Sequence, residues 1–582
     1  MITCNNRLAR RAAFGATAAA LAVGGLAGCS GSGSSGSTVT VAVDQEYTSY
    51  NNGSYDQITV ANGLVLNMTL PGPFGVNPDS TVVVSKDLMV SVDLTSEDPM
   101  IVTYTVRPEA VWSDGEPIDC DDFYLSWLSS NGKAGNRKKA DGTDEIDTDG
   151  YPIPVFNAGG TAGYDQVKAV TCDPAGRVIT AEFDEPYADW KALFGGLLPA
   201  HVVEAEAGVA DLTAALTPEQ TLAVADVWNN GFVGFDKKFA LSGAWYKITS
   251  YKPGVSLTLE KNERFWGTPA NIDRIIFKLL PESSTHPQAL ENGDVQVIAP
   301  QPSVDVLKQL QGMEGVTVTA DQGASFEHYD LNAQNEFLKD LKVRQAFALC
   351  LDRQEIVDTL AKPLNDKSEV LNNRMFVPGS PYYENTMGDL ADRDITRAKQ
   401  LLTEAGFTFD ADGIAVRDGK QLTLRLGRRD PNDRRQKTNE LAIEQCREAG
   451  FVLTDDPSED FNSTRLDSGD FDVALFAWAA SPFLAGNDSI YLPPDDGGDQ
   501  NYGRWSNPAT RGIIDRASVE LDEVKRAAIY NELDTVVSTD VGTIPLFQWT
   551  EITAFSDRIA GVRFNGVLGF TWNANEWQLV ES

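Results

Sequence analysis

The stretch FDVALFAWAASP at residues 471–482 decides the fold, because a buried strand runs there into a bare length of backbone. Residues 473–478 form an apolar run too short for a helix, which is typical of a strand covered on both faces of an α/β layer. After Trp478 the side chains shrink to alanines and Ser481, so another chain can lie close to the backbone. An extended peptide is held through such main-chain bonds. The alternative is a core strand that simply continues into a loop.

Helices and short strands alternate around this stretch. Residues 343–360 carry apolar side chains at helical spacing behind Asp340, a candidate N-cap. A second helix is predicted to begin at Asp394, and a short strand follows at residues 422–426. This alternation predicts a parallel-type sheet and indicates that residues 322–549 form one α/β lobe.

The composition of the whole chain limits its function. With 582 residues, the chain is expected to form three or four domains. The net charge of −36 disfavours nucleic acid and anionic lipid surfaces as partners. Only three histidines occur, and the motifs of zinc sites and serine hydrolases are missing from the sequence. We therefore expect no enzymatic activity, no cofactor and no resident metal.

The N-terminus has the pattern of an exported, lipid-anchored protein. Residues 1–28 place three arginines before an apolar run that is too short and too glycine-rich to span a membrane. The sequence LAGC that ends at Cys29 resembles the bacterial lipobox, which implies a lipidated Cys29 at the outer face of the cytoplasmic membrane. Residues 29–37 then form a flexible tether. A plain signal peptide and a choice between Sec and twin-arginine export remain open.

The cysteines indicate two disulfides. One cysteine leaves with the signal and Cys29 takes the lipid, which leaves Cys120, Cys172, Cys350 and Cys446 with three possible pairings. Because an exported chain meets oxidising conditions and the spacing groups these residues in two pairs, we predict Cys120–Cys172 and Cys350–Cys446. The alternative is four buried free thiols.

A set of motifs resembles the large solute-binding proteins of ABC importers, the family 5 or oligopeptide/dipeptide-binding group. The most diagnostic is VWSDGEP at residues 111–117, followed by Asp122-Phe123 and Ser126-Trp127. Its turn and helix-cap residues have local structural roles, so we assign it no ligand contact. Further segments match in family order: FDEP at 183–186, LPAH at 198–201, GAWY at 243–246, NERFWG at 262–267, VRQAF at 343–347, AKQLLTEAG at 398–406 and IPL at 544–546. The resemblance covers about residues 38–580.

The resemblance implies a two-lobed, hinged periplasmic-binding-protein-like fold of cluster C type with an extra small α/β domain. Lobe I is expected to comprise residues 38–45, 230–321 and 550–582, with the extra domain at 46–229 and lobe II, the ligand-gripping lobe, at 322–549. The chain then crosses between lobes twice and forms a short hinge.

The same resemblance implies a function. We expect a monomeric, extracytoplasmic receptor that captures a peptide or peptide-like solute and delivers it to ABC permease subunits. Nickel or haem chelates, sugars and opine-like molecules are alternative ligands. A lipoprotein of the same fold that regulates or scaffolds a cell-envelope enzyme is the alternative function.

In peptide-binding relatives, the stretch equivalent to Trp478 and Ala479 runs along the peptide backbone, and an aspartate three residues after the tryptophan binds the peptide's α-ammonium. This chain has Ser481 there, which cannot neutralise a cation. Either Asp44, Glu46 or Asp488 supplies the missing charge, or the ligand lacks a free amine.

Other predicted contacts come from loops near strand ends. Arg428 and Arg434 lie in the loop 427–435, where guanidinium groups suit an anionic group of the ligand; the alternative is a solvated helix start paired with neighbouring aspartates. The remaining candidates are aromatic residues with flat faces for a ligand. They are Tyr47 and Tyr50 after the first strand, Tyr502 and Trp505 after the strand of lobe II, and Trp549 at the return to lobe I.

Overall fold

The computed structural model describes residues 36–147, 150–479 and 481–580. The predicted signal segment, Cys29 and all but the last two residues of the tether therefore lie outside the described residues. Among the described helices, none combines the length and apolar character needed to cross a bilayer.

The described elements confirm the α/β fold class. The strands are β1 (Thr38–Val43), β2 (Phe74–Val76), β3 (Val82–Val84), β4 (Met89–Glu97), β5 (Met100–Val106), β6 (Val167–Cys172), β7 (Val178–Phe183), β8 (Tyr246–Lys252), β9 (Ser256–Lys261), β10 (Arg274–Leu279), β11 (Val297–Ile298), β12 (Val316–Leu331), β13 (Thr408–Phe409), β14 (Ala415–Arg417), β15 (Lys420–Gln421), β16 (Thr423–Arg429), β17 (Val452–Ser458), β18 (Val473–Ala479), β19 (Thr543–Ser556), β20 (Ile559–Ala560) and β21 (Gln578–Leu579). The helices are α1 (Val60–Leu66), α2 (Cys120–Ser130), α3 (Ala200–Ala207), α4 (Pro218–Asn230), α5 (His286–Glu291), α6 (Val304–Gln311), α7 (Leu341–Cys350), α8 (Arg353–Leu360), α9 (Ile395–Glu404), α10 (Asp433–Arg447), α11 (Leu466–Ser468), α12 (Asp488–Tyr491), α13 (Ala509–Val519) and α14 (Glu523–Asp540).

Two long strands cross between the halves of the main sheet. Its order is β17-β16-β18-β12-β19-β11-β1-β10-β9-β8, with β12 and β19 at the junction. These two strands pair antiparallel along most of their length, and the register shifts between Gln322 and Phe326. At this point Gly323 leaves room for the crossing strand, because a Cβ there would lie 3.1 Å from the Glu551 side chain. The sheet thus provides the double crossing expected of a hinge.

The lobe II sheet differs from the parallel type predicted from the sequence. β16 pairs parallel with β17 and with β18, as predicted, whereas β12 pairs antiparallel with β18 and β19. The reason is that β12 and β19 enter this lobe from the hinge and are not βαβ crossover strands. Similarly, residues 343–360 form two helices, since Asp352 caps α8 after the end of α7.

The extra domain contains the four-stranded sheet β4-β5-β7-β6, whose strands are all antiparallel. Asp119 is the N-cap of α2 and forms a capping box with Asp122. The buried Asp122 also accepts hydrogen bonds from the Trp112 indole at 3.2 Å and the Ala200 amide at 2.8 Å. Burial raises the pKa of Asp122 well above its usual range. The diagnostic motif therefore connects the turn that follows β5 to α2 and α3. Because its four-stranded sheet is antiparallel, the domain is of α+β type.

The structure contains both predicted disulfides. Cys120–Cys172 joins the start of α2 to β6, with Cα atoms 5.9 Å apart. Cys350–Cys446 joins the end of α7 to α10 inside the lobe II core, with Cα atoms 4.8 Å apart.

Candidate functional site

Two rows of strand ends face each other across the hinge. In lobe II, β18 is antiparallel to β12, so its carboxyl end at Ala479 points toward lobe I, and the parallel strand β16 points the same way. In lobe I, β1 is parallel to β10 and β11, and β11 is antiparallel to β19. The carboxyl ends of β1 and β10 therefore point back toward lobe II. Ligands in open α/β sheets bind outside such strand ends.

The end of β18 has an edge that β16 does not cover. β16 pairs only with Val473, Ala474 and Leu475, whereas β18 continues to Ala479 along its other neighbour, β12. Ala479 is exposed at this end. The segment 476–479 thus presents extended main chain at the edge of the cleft, as a strand-adding peptide requires.

Aromatic rings surround this open edge. The indole of Trp478 stacks on Tyr502, with centroids 5.8 Å apart and an interplanar angle of 8°. It also lies nearly parallel to the buried His328 ring at 6.0 Å and edge-on to Phe476 at 5.2 Å. Among the described residues, the buried Trp478 Nε1 has no hydrogen-bond partner. The structure therefore brings together Trp478 and Tyr502, both predicted from the sequence, and leaves the indole N–H of Trp478 unpaired within the described part of the chain.

Ser481 lies just beyond this edge. Its hydroxyl accepts a hydrogen bond from the Phe483 amide at 3.1 Å and so caps the following turn. Of the carboxylates considered as replacements for the family aspartate, Glu46 is engaged by the Tyr251 hydroxyl at 2.7 Å. Asp488 lies 3.3 Å from the Tyr530 hydroxyl, and Asp44 is half-buried after β1.

The two arginines of the loop 427–435 are occupied by internal carboxylates. Arg428 is 2% exposed, forms a bidentate pair with Asp455 and binds Asp430 at 2.9 Å. Arg434 binds the buried Glu327 at 3.1 Å. Both arginines are thus paired with acidic side chains of the chain itself, but not as a solvated helix start, because Arg428 is buried and only Asp430 is a neighbouring aspartate.

Arg434 and Trp549 lie on the opposite face of the sheet from Trp478. The Arg434 guanidinium sits over the Trp549 ring at 4.3 Å, and its partner Glu327 projects to the α10 side. Phe326 and His328 project to the other side, as their ring contacts show. A ligand on the Trp478 face therefore does not reach Trp549 directly.

The other three predicted aromatic residues are buried. Tyr50 is 1% exposed and donates to the Leu241 carbonyl at 2.8 Å, while Tyr47 packs edge-on against Tyr251 in the same core. Trp505 packs in the core formed with α13 and α14 and lies against Gly542, where a Cβ would be 3.0 Å from the indole. The loop polarity around the two tyrosines gave no sign of this burial.

Two other groups of residues were not predicted from the sequence. Phe326 and His328 lie beneath Trp478; their alternation along β12 is the signal that marks one face of a strand. Asp189 of the extra domain reaches lobe II, where it accepts from the Ala485 amide at 2.7 Å and from Arg526 at 2.5 Å. A pair this far apart in sequence leaves no local pattern.

Comparison with known proteins is consistent with this geometry. Residues 84–499 match the bacterial extracellular solute-binding proteins, family 5. The chain belongs to that family. This family 5 protein is 26% identical to the oligopeptide-binding protein OppA of Mycobacterium tuberculosis, over 88% of this chain and 79% of OppA. It is 28% identical to the uncharacterized lipoprotein Rv2585c of the same organism, over 97% of this chain and 96% of that one.

Among solved structures, this family 5 protein is similar to the periplasmic EDTA-binding protein EppA. The two share 27% identity and a TM-score of 0.82, and the match covers 94% of this chain and 97% of EppA. Family 5 comprises solute-binding proteins, and the fold class predicted from the sequence is that of its solved structures.

Proposed function

We propose that this protein is a lipid-anchored receptor that captures a peptide or peptide-like solute between its lobes and delivers it to the membrane subunits of an ABC importer. Anchoring through Cys29 at the outer face of the cytoplasmic membrane is part of the proposal and rests on the lipobox pattern. In this proposal the lobes comprise the ranges predicted from the sequence, which are 38–45, 230–321 and 550–582 for lobe I and 322–549 for lobe II.

One observation supports the ligand class above the others. The uncovered edge of β18 at residues 476–479 lies beside Trp478 and Tyr502, where an extended chain finds main-chain partners and flat ring faces. EppA is named for EDTA, a polycarboxylate. In this chain Arg428 and Arg434 already form ion pairs with Asp455 and Glu327, which favours a peptide-like ligand over a polyanion.

The ligand is identified by native mass spectrometry of freshly purified protein, followed by calorimetric titration with synthetic peptides of graded length. We expect Trp478→Ala to weaken peptide binding by about tenfold or more, because the substitution removes the indole ring on which the peptide stacks and buries its surface. Trp549→Ala removes an indole from the opposite face and is the matched control, with retained affinity expected. Equal losses in both variants, or no peptide binding by the wild type, would contradict the proposal.

A further inference from the structure

A cavity of about 750 Å³ lies on the lobe I side of the hinge, away from Trp478. Its described wall comes from the extra domain, from residues 243–266 and from the C-terminal segment 568–576; none of its lining residues belongs to lobe II at 322–549. Small-molecule sites typically occupy ~300–1,000 Å³ and often lie at domain interfaces. The size and the place of this cavity therefore match a ligand site that does not depend on lobe closure.

Half-buried aromatic rings line the cavity. They are Phe74, Tyr164, Trp245, Phe265, Trp266 and Trp572. Two of the indole N–H groups are hydrogen-bonded within the protein and are not offered to a ligand. Trp266 donates to the Asp87 carbonyl at 2.5 Å, and Trp572 donates to the Arg563 carbonyl at 3.2 Å. The ring faces, and not these N–H groups, are what the two tryptophans offer to a ligand.

The polar part of the wall is made mainly of uncharged groups. Amides and hydroxyls come from side chains that include Asn67, Asn77, Asn575 and Ser85. The described lining residues include no lysine, arginine or histidine. Two carboxylates line the cavity, and both have partners in the protein: Asp87 is hydrogen-bonded to the Trp245 side chain, and Glu576 is held by Arg563 and Asn573. A phosphate or carboxylate would enter this cavity without a cationic partner, at a large desolvation cost.

We propose that this cavity is a second ligand site, and that it binds a neutral oligosaccharide. Pyranose rings present apolar C–H faces that lie flat on indole and phenyl rings, while their hydroxyls exchange hydrogen bonds with amides. The site is separate from the peptide cleft and does not rest on the function proposed for that cleft.

Gly63 allows the cavity to be filled without disturbing the core. It lines the cavity within α1, and a Cβ built there meets no other atom within 4 Å. Gly63→Phe places a ring toward the space that the oligosaccharide is proposed to occupy. Gly63→Ala is the matched control, because it adds the same Cβ but leaves the cavity open.

The full chain is first tested on an array of neutral oligosaccharides and oligogalacturonates, and neutral hits are then titrated by tryptophan fluorescence. We expect a neutral oligosaccharide to bind to the wild type and to Gly63→Ala, with a loss of about tenfold or more in Gly63→Phe and in Trp572→Ala. Trp478→Ala is expected to retain this binding. Thermal melting shows whether each variant is folded.

Three results would overturn this proposal. They are the absence of neutral oligosaccharide binding, binding that Gly63→Phe leaves intact, and binding that Trp478→Ala abolishes. The last result would place the sugar in the cleft. Failure of peptide binding, in contrast, leaves the cavity proposal unaffected.

Discussion

Ser481 illustrates how one residue bears on the choice of ligand. Its hydroxyl caps the turn at Phe483, and it stands three residues after Trp478, where the family resemblance implies an aspartate. A serine at this place accepts a hydrogen bond but leaves a ligand ammonium uncompensated. We infer that the natural ligand has no free α-amine at this position or is neutralised elsewhere.

Ser481→Asp is therefore predicted to change selectivity. The aspartate can keep the cap at Phe483 and adds a charge at the end of β18, where a charge-assisted hydrogen bond contributes ~1.5–3 kcal/mol. We expect the affinity for peptides with a free amine to rise by about tenfold or more relative to N-acetylated peptides, as measured by calorimetry. Ser481→Asn, which caps without charge, is expected to show no such preference; an equal preference in both variants would contradict this prediction.

Local residue roles could be predicted from the sequence, whereas burial could not. Asp119, Asp340 and Asp394 cap their helices, because capping depends on residues a few positions apart. Arg428 looked free in a polar loop, yet its partner Asp455 lies 27 residues away on β17. Tyr50 likewise gains its partner, Leu241, only when the extra domain folds onto lobe I.

At the scale of elements, α10 is joined to the hinge strand β12 by buried charges. Glu327 is 1% exposed and binds Arg434 and Arg435, each at 3.1 Å. Tyr329, two residues further along β12, donates to Asn439 of the same helix at 2.9 Å. These contacts hold the helix against the face of the sheet opposite Trp478.

Glu327→Gln is predicted to destabilise lobe II. Removing the carboxylate leaves two largely buried guanidinium groups without a counter-charge, and breaking such a buried network typically costs ~3–5 kcal/mol. We expect a clear loss in the free energy of unfolding, measured by urea denaturation. Glu440→Gln removes the exposed pair with Lys437 on the same helix and should change it by less than about 1 kcal/mol. Similar effects of both substitutions would contradict the assigned role of Glu327.

Element order could be predicted from periodicity, but connections between elements could not. Apolar spacing continues through Leu351, so the sequence pattern joined α7 and α8 into one helix although Asp352 caps the second. The apolar run at 473–478 correctly predicted β18. The antiparallel entry of β12 from the hinge depends on the path of the chain through both lobes, and local composition carries no signal of it.

For the molecule as a whole, the crossing strands are not the sole link, because the extra domain also contacts lobe II directly among the described residues. Asp189 of the extra domain is 2% exposed and binds Arg526 and the Ala485 amide of lobe II. Lys191 adds an exposed pair with Glu523 at 2.8 Å. These contacts join the extra domain directly to lobe II, in addition to the crossing strands.

Asp488 interacts electrostatically with Asp189 and is therefore expected to make the contact between the extra domain and lobe II sensitive to pH. Burial, and secondarily the charge of Asp189, raise its pKa from 3.8 to about 8. Other charged or titratable groups around it are Tyr530, Arg511, Asp515 and Tyr187. Between pH 3.8 and about pH 8, Asp488 therefore keeps its proton in the folded protein and loses it in the unfolded chain. Its stabilising contribution is complete below pH 3.8, falls as the pH rises and is lost near pH 8.

We expect the free energy of unfolding of the wild type to fall relative to Asp488→Asn between about pH 5 and about pH 8, and the difference to level off above that. Urea denaturation across this range measures it. Asp358→Asn is the control, because Asp358 is paired with Lys362 at the surface and its pKa is lowered. A difference between wild type and Asp488→Asn that does not change with pH would contradict the prediction.

Arg526→Met is predicted to open the molecule. The substitution leaves the Asp189 carboxylate buried without its cation, a cost of ~3–5 kcal/mol in the closed arrangement that hydration relieves when the lobes separate. We expect a larger radius of gyration by X-ray scattering and a loss of about tenfold or more in affinity for a cleft ligand. Asp189→Asn in the Arg526→Met background removes the unpaired charge and should restore part of the closure, whereas Lys191→Met should change little, since its pair with Glu523 is exposed. Unchanged scattering and affinity in Arg526→Met would show that this contact does not contribute to closing the lobes.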